Sequence, residues 1–327
     1  MNSKTNLAII GCGYMGEIYR KAAVELYDRK NIESYYKYDL PGMLTNFRLK
    51  AVVDIKFADS SYREGEDLWH LDSIETLIGM KELGVNAAVV STPIKTHFQI
   101  AQKLIRSGIS LLIEKPVCET AKEIKELMRL AKKHKVRIMP GLVERYNPVT
   151  LDAEEAVAYK MYGSAVNYSF LRAGKKPERV SDSLIIDKLI HDLDLVQCIF
   201  GKYRITDMRF RKVKGEVMEC TLLTSHRKGL NGRIVSSWLS EEKTREVVIK
   251  FERGMIRGDL LSKKIFVDRY KELSKVISGY KNNQIKDQLV DFIAYKNKLI
   301  KTLVSMEDAL HAAYLLDEIT RKVNDDV

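Results

Sequence analysis

The run NLAIIGCGYMGEIYRKA, residues 6–22, decides the fold. It opens as a short apolar strand, passes through three glycines spaced GxGxxG (Gly11, Gly13 and Gly16), and continues as a helix-forming stretch. Gly11 permits a sharp turn, Gly13 lets the backbone approach a pyrophosphate, and Gly16 lets the helix pack close to the strand. The N–H groups at the helix start, around Tyr14 and Met15, have no partner within the helix and face phosphates. By itself such a loop is a weak signal, since a chance glycine turn has the same letters; the strand before it and the helix after it strengthen it.

Working outward, the next part of a dinucleotide site is an acidic residue closing the second strand, where it holds a ribose 2′-hydroxyl. RLKAVVDIK (residues 48–56) supplies Asp54. It lies further from the loop than the usual spacing of about 20 residues. The intervening NIESYYKYDLPGMLTNF, residues 31–47, reads as an insertion. A carboxylate here repels a 2′-phosphate, so NAD is favoured over NADP, an inference that Lys56 blunts slightly. NAAVVSTP, ISLLIEKPV and KVRIMPG read as further strands, separated by the helical THFQIAQKLIRSG and TAKEIKELMRLAKKHK. Gly108 stops the first of these helices, and Thr120 with Glu123 forms a capping box for the second. Alternating strands and helices imply a parallel sheet covered on both faces. Ligands of such sheets sit at the strand C-terminal ends, which here carry Thr92, Pro93, Glu114, Lys115 and Pro116.

The chain has 327 residues, 45% hydrophobic and 30% charged, which suits two globular domains. The division expected is 1–143 for nucleotide binding and 144–327 for substrate binding and oligomerisation, with the last helices able to pack back on the first domain. No apolar run approaches the roughly 18–20 residues of a membrane span. The N-terminus lacks the form of a signal peptide, so a cytoplasmic protein with no membrane partner is expected. Four dispersed cysteines make neither a zinc pattern nor a disulfide framework. The net charge of +11 allows nucleic acid, an anionic surface or an anionic small molecule as partner. No zinc finger, helix-turn-helix or RNP-like motif accompanies it, so nucleic acid is not expected.

SLIIDKLIHDLDL, residues 183–195, is apolar yet holds Asp187, His191, Asp192 and Asp194. On a helix Asp187 and His191, four apart, share a face. That suits a histidine oriented by a carboxylate for proton transfer, and equally suits a plain salt bridge. Asp192 points away from Asp187 and no second His or Cys is near in sequence, so no metal site is expected. Further on, TLLTSHRKGLNGRIVSSWLSEEKTREVVIKFERGMIRGDL (221–260) alternates like antiparallel strands turning at Gly229, Gly232 and Gly254. Stretches near 284–298 and 306–322 read as amphipathic helices.

Taken in order, GCGYMG, STPIKTH, EKP, ERYNP, D…HDLD and the C-terminal QLVDFIAYKNKLIKTLVSMEDALHAAYLLDEI resemble the glucose–fructose oxidoreductase/inositol dehydrogenase (Gfo/Idh/MocA) family almost end to end. The resemblance implies an α/β fold: an N-terminal Rossmann dinucleotide-binding domain and a C-terminal α+β domain with a large, mostly antiparallel sheet. That sheet often forms the oligomer interface in the family, so a homodimer or homotetramer is expected. Lys115 matches the lysine that contacts the reacting hydroxyl, and Pro116 a proline after a cis bond. His191 matches the acid/base and Asp187 its orienter or a second substrate contact. Thr92, Pro93 and His97 match the loop packed against the cofactor. Leu189 departs from the glycine common at that place, which would change how substrate meets that turn.

PGLVERYNPVT and LRAGKKPERV look most like the branch that oxidises nucleotide-linked amino sugars at C3, such as UDP-N-acetylglucosamine. Glu144, Arg145, Tyr146, Asn147, Arg172, Lys175, Lys176 and Arg179 are then offered to the substrate, and Arg and Lys suit a diphosphate. A basic surface turn is the alternative. Other readings are a free sugar or polyol (inositol-like) dehydrogenase, an NAD-dependent glycosidase and a non-catalytic NAD-binding sensor. The joint presence of Lys115, Asp187 and His191 argues against the sensor.

Overall fold

A computed structural model of the chain describes residues 4–27, 46–178, 180, 182–227, 229–269, 272–277 and 282–325. Arg179 and nearly all of the 31–47 segment lie outside the described residues. The chain divides into two compact units: Met1–Val143 with Asn282–Leu310, and Glu144–Lys281 with His311–Val327.

The first unit contains a seven-stranded sheet. In chain order its elements are β1 (Thr5–Ile10), α1 (Tyr14–Tyr27), β2 (Phe47–Val53), β3 (Ser61–Arg63), β4 (Leu68–Leu71), α2 (Ile74–Gly79), β5 (Ala87–Val90), α3 (Ile94–Arg106), β6 (Ser110–Glu114), α4 (Ala121–His134) and β7 (Ile138–Gly141). The strand order is β3-β4-β2-β1-β5-β6-β7, parallel throughout except for the short β3–β4 pair. β1, β5 and β6 are buried at every position, because helices cover both faces of a parallel sheet, and their sequences are accordingly continuous apolar runs rather than alternating ones. α4 starts on the Thr120 capping box: the Glu123 amide donates to the Thr120 hydroxyl at 3.2 Å and the Thr120 amide to the Glu123 carboxylate at 3.0 Å. α3 ends before Gly108, whose φ of +78° closes the helix.

The second unit is built on an eight-stranded sheet. After α5 (Pro148–Ala158) come β8 (Ala165–Ala173), a π-helical turn (Ile185–Leu189), α6 (Ile190–Phe200), β9 (Arg204–Val213), β10 (Glu216–Ser225), β11 (Asn231–Ser237), β12 (Thr244–Phe251), β13 (Gly254–Asp259), β14 (Lys264–Arg269) and β15 (Glu272–Ile277). The order is β15-β14-β13-β12-β8-β11-β10-β9, with β8–β11 the parallel pair and the rest antiparallel. One row of the sheet, Leu222–Ile234–Phe170–Val247, lies in register on its buried face and forms a core with Leu189, Leu193 and Val196. The opposite positions are half-buried or exposed, the alternation expected of an antiparallel sheet with one covered face.

Two readings of the later chain are corrected. Gly232 is not a turn residue: it sits inside β11, where a Cβ would lie 2.0 Å from the Tyr168 ring, so glycine makes room for that ring. α7 (Gln284–Lys296) is not one-sided, being buried continuously from Lys286 to Ala294. Several of its polar residues find partners within the first unit: Asp287 accepts from Asn282 at 2.8 Å, Asp291 from Thr302 at 2.9 Å, and Lys286 pairs with Glu25. α8 (Met306–Asp325) follows it.

Candidate functional site

The glycine loop is shaped as its spacing demands. Gly11 has φ +89°, and a Cβ there would meet Thr92 at 2.8 Å. A Cβ on Gly16 would lie 1.8 Å from the Gly11 carbonyl oxygen, so only glycine lets α1 start this close to β1. A Cβ on Gly13 would meet nothing within 4 Å. Its backbone is exposed, like Tyr14 beside it, while Met15 is half-buried. That open stretch, at the positive end of a 14-residue helix, fits a pyrophosphate.

Asp54 follows β2 directly and turns back to the loop. Its carboxylate accepts the Cys12 amide at 2.6 Å and the Lys56 amide at 3.0 Å, while the Lys56 ammonium donates to the Cys12 carbonyl at 2.7 Å. Ser91 closes the other side by donating to the Gly11 carbonyl at 2.9 Å. Between them opens a cleft of about 470 Å³, lined by Gly11, Gly13, Asp54, Ser73, Thr92 and Pro93 among others. Asp72 and Glu75 also border it, with Glu75 paired to Lys103 and Asp72 accepting from Ser60 and Thr76. A ribose diol is welcome there and a 2′-phosphate is not. Cys12 is buried, and burial pushes its thiol up to about 11, so it is filler rather than a nucleophile.

At the ends of β5 and β6 two buried groups support the backbone. His97 lies between the carbonyls of Thr92 (2.7 Å) and Pro116 (3.0 Å), tying one loop to the other. Burial lowers its pKa, and the two carbonyls pull it part of the way back. Its ring is buried, so it acts by holding Thr92 and Pro116 in place. Glu114 is buried too; burial raises its pKa, and it accepts the Tyr19 hydroxyl at 2.6 Å and the Lys115 amide at 3.0 Å. Glu114 therefore anchors β6 to α1. Lys115 is half-buried, and the Lys115–Pro116 peptide bond is cis.

In the second unit, Asp187 lies within the π turn and His191 in the first turn of α6, both half-buried. The wide turn replaces the regular helix expected here: the Ile190 amide reaches the Ile185 carbonyl, five residues back. Such turns recur where a helix must re-aim side chains at a functional site. Leu189, the residue that departs from the family's glycine, is fully buried in the core, so its side chain adds no bulk to the polar side.

The resemblance offers Arg145, Tyr146, Asn147 and Arg172 to the substrate; their geometry does not. Arg145 is buried and grips Asp194 through Nε and Nη2, at 2.9 and 2.6 Å. Arg172 is buried against Asp192 (2.9 Å) and Glu144 (3.0 Å). Tyr146 is fully buried, and Asn147 caps α5 and donates to the Leu260 carbonyl at 2.9 Å. The two arginines are paired as buried charges must be. Lys175 and Lys176 have surface acid partners, Glu241 and Glu216. Arg179 lies outside the described residues.

Two further cations feel the charge of Asp187. Lys188, next to it in the π turn, donates to the carbonyls of Gly174 at 2.7 Å and Ser237 at 2.9 Å; burial lowers its pKa to about 8, with Asp187 opposing. Arg245 on β12 pairs with Glu144 at 2.8 Å, is one-third exposed, and feels the charge of Asp187. No spacing signal marks either one: TREVVIKF reads only as a strand. Among the described residues no group of three or more His, Cys, Asp or Glu is placed to hold a metal, and no helix is long and apolar enough to cross a membrane.

A glycine cradle, a helix N-terminus and an acidic residue closing β2 together define a dinucleotide-binding domain, and the comparisons agree. Residues 5–142 match the family model described as an oxidoreductase family with an NAD-binding Rossmann fold. The chain is 25% identical over 211 residues to scyllo-inositol 2-dehydrogenase (NAD(+)) of Bacillus subtilis, covering 60% of this chain and 61% of that one. It is also 25% identical over 235 residues to UDP-N-acetylglucosamine 3-dehydrogenase of Acidithiobacillus ferrooxidans, covering 70% of each. A solved structure of the latter superposes with a TM-score of 0.78 at 19% identity, covering 97% of both chains, which shows a common fold.

Proposed function

We propose that this protein is an NAD-dependent dehydrogenase that oxidises a sugar carbinol, at C3 of a nucleotide-linked amino sugar such as UDP-N-acetylglucosamine. The observation that carries the cofactor half is the Gly11–Gly13–Gly16 cradle closed by Asp54. Gly13 and the amides of Tyr14 and Met15 hold the pyrophosphate, Asp54 the ribose diol, and Thr92 and Pro93 border the same cleft. Bound NAD supplies the hydride acceptor. His191 takes the hydroxyl proton, Asp187 orients it or contacts substrate, and Lys115 stabilises the alkoxide that develops. The diphosphate is met by Arg245, the one-third exposed cation of β12, in place of the buried arginines. The similarity to a UDP-amino-sugar dehydrogenase over 70% of both chains supports this substrate class.

A free polyol as substrate is the second reading, favoured by the equal 25% identity to a scyllo-inositol dehydrogenase. The two are separated by following NADH formation with UDP-N-acetylglucosamine, UDP-glucose, scyllo-inositol and myo-inositol under the same conditions. NADH with UDP-sugars alone supports the first reading, and NADH with inositols alone overturns it. His191→Ala is expected to lower kcat by about 10²–10⁴-fold with NAD affinity unchanged. Full turnover in that variant would remove His191 from this role.

A further inference from the structure

The second unit carries a cationic pocket that this function does not use. It lies where the C-terminal end of α6 runs through Lys202 and Tyr203 into β9, beside the turn that joins β10 to β11. Its lining is Lys202, Tyr203, Arg204, Ser225, His226 and Arg227, around a volume of about 450 Å³. Three of these six residues are cations and none is an acid. Lys202, Arg204 and Arg227 are exposed, and among the described residues none of the three is in an ion pair. The chain elsewhere finds acids for comparable surface groups, as in Lys176–Glu216 and Arg209–Asp207. Three like charges around one concavity repel one another, and an arriving anion relieves that repulsion. The partial negative charge at the end of α6, about half a unit, is too small to neutralise three cations.

The floor of the pocket is rigid. The Tyr203 ring lies 5.6 Å from that of His226, and Tyr168 stacks on Phe200 at 4.3 Å beneath. Tyr203 is itself fixed by donating to the Leu193 carbonyl at 3.0 Å. His226 Nε2 is 3.0 Å from the Tyr168 hydroxyl, which is 2.6 Å from the Thr224 hydroxyl. His226 Nδ1 is buried without a well-formed hydrogen bond. A firm aromatic wall under a rim of uncompensated cations and a serine hydroxyl is a built concavity rather than a scatter of surface charge. Its volume falls within the range of small-molecule sites, about 300–1,000 Å³. Exposed aromatics in succession, which a single-stranded nucleic acid needs for stacking, are missing from this lining.

We propose that this pocket binds the phosphoryl group of a small molecule, at a site separate from the glycine loop. Lys202, Arg204 and Arg227 grip the phosphate oxygens, and the Ser225 hydroxyl adds a neutral donor. The proposal does not depend on which sugar the enzyme oxidises.

The test is isothermal titration of the NAD-saturated protein, so that the glycine loop is already filled, with inorganic pyrophosphate and separately with UMP. Apart from any occupancy of the substrate site near Asp187, one binding event is expected that is weakened by added salt and weakened about tenfold or more in K202Q/R204Q/R227Q, a difference of about 1.4 kcal/mol per tenfold. The triple variant should keep its melting temperature and NAD affinity, because the three side chains are exposed and lie outside the first unit. Pyrophosphate binding as tightly as UMP supports a free phosphate as the occupant, and tighter UMP supports a nucleotide lying on the Tyr203 wall. Unchanged affinity in the triple variant overturns the proposal, as does the absence of binding by the wild type at millimolar pyrophosphate. Binding of a thymidine oligonucleotide that strengthens with length while pyrophosphate and UMP fail to bind also overturns it.

Discussion

The Asp54 carboxylate accepts the Cys12 and Lys56 amides, so it shapes the glycine loop before any ribose arrives. Asp54→Ala removes both that support and the ribose contact. NAD affinity is expected to fall by about 10–100-fold, the worth of one or two charged hydrogen bonds, as read by titration calorimetry. Affinity within twofold of wild type would show that the loop closes without it. Arg145 makes a different kind of demand. Its guanidinium and Asp194 are both nearly inaccessible, so Arg145→Met strands a buried carboxylate. A loss of about 3–5 kcal/mol in urea unfolding is expected, largely recovered when Asp194→Leu is added. If the single variant unfolds like wild type, the pair is not the structural strut described above. Sequence spacing revealed Asp54 because strand, loop and acid are close in the chain. It could not reveal that Arg145 and Arg172 pair with buried acids, because those partners lie 49 and 20 residues away and only packing brings them together.

At the scale of elements, the π turn matters most, since it presents Asp187 and leads into the helix that carries His191. Lys188 fastens this turn to the ends of β8 and β11 through the Gly174 and Ser237 carbonyls. Its pKa is about 8 in the folded chain against 10.5 ordinarily, so between those values the unfolded chain holds a proton that the native one does not. Unfolding free energy therefore rises with pH across that window. The neutral amine still carries two N–H donors, enough for both carbonyls. The stability of wild type relative to Lys188→Met is thus expected to increase from pH 8 to pH 10, measured by chemical denaturation at several pH values. Parallel profiles would mean that Lys188 titrates normally. Helical periodicity announced an Asp–His face here, but a one-residue widening of the turn is set by packing. Leu189 enters the core and Lys188 reaches two strand ends, neither of which is written in local spacing.

At the scale of the whole molecule, no helix among the described residues covers one face of the second unit's sheet. A row across it runs Leu223, Arg233, Ser169, Val248, Arg257, Phe266 in register, with Leu223 and Phe266 exposed. Such a face suits self-association, as the resemblance implies. Light scattering is expected to show a dimer or tetramer, and L223E/F266E to shift it toward monomer. A monomeric wild type at micromolar concentration would refute that. The sequence by itself determined the two fold types, the glycine cradle and the acid that closes β2. Each of these is a local pattern: an apolar run, a glycine spacing or an acid at a strand end. Only the tertiary structure decided which charges are spent. Arg145 and Arg172 are consumed by buried acids, Arg245 and Lys188 feel the charge of Asp187, and among the described residues three cations around Tyr203 have no ion-pair partner. A side chain's charge can be read from its letter. Whether that charge is neutralised depends on sheet register and on contacts between residues far apart in the chain.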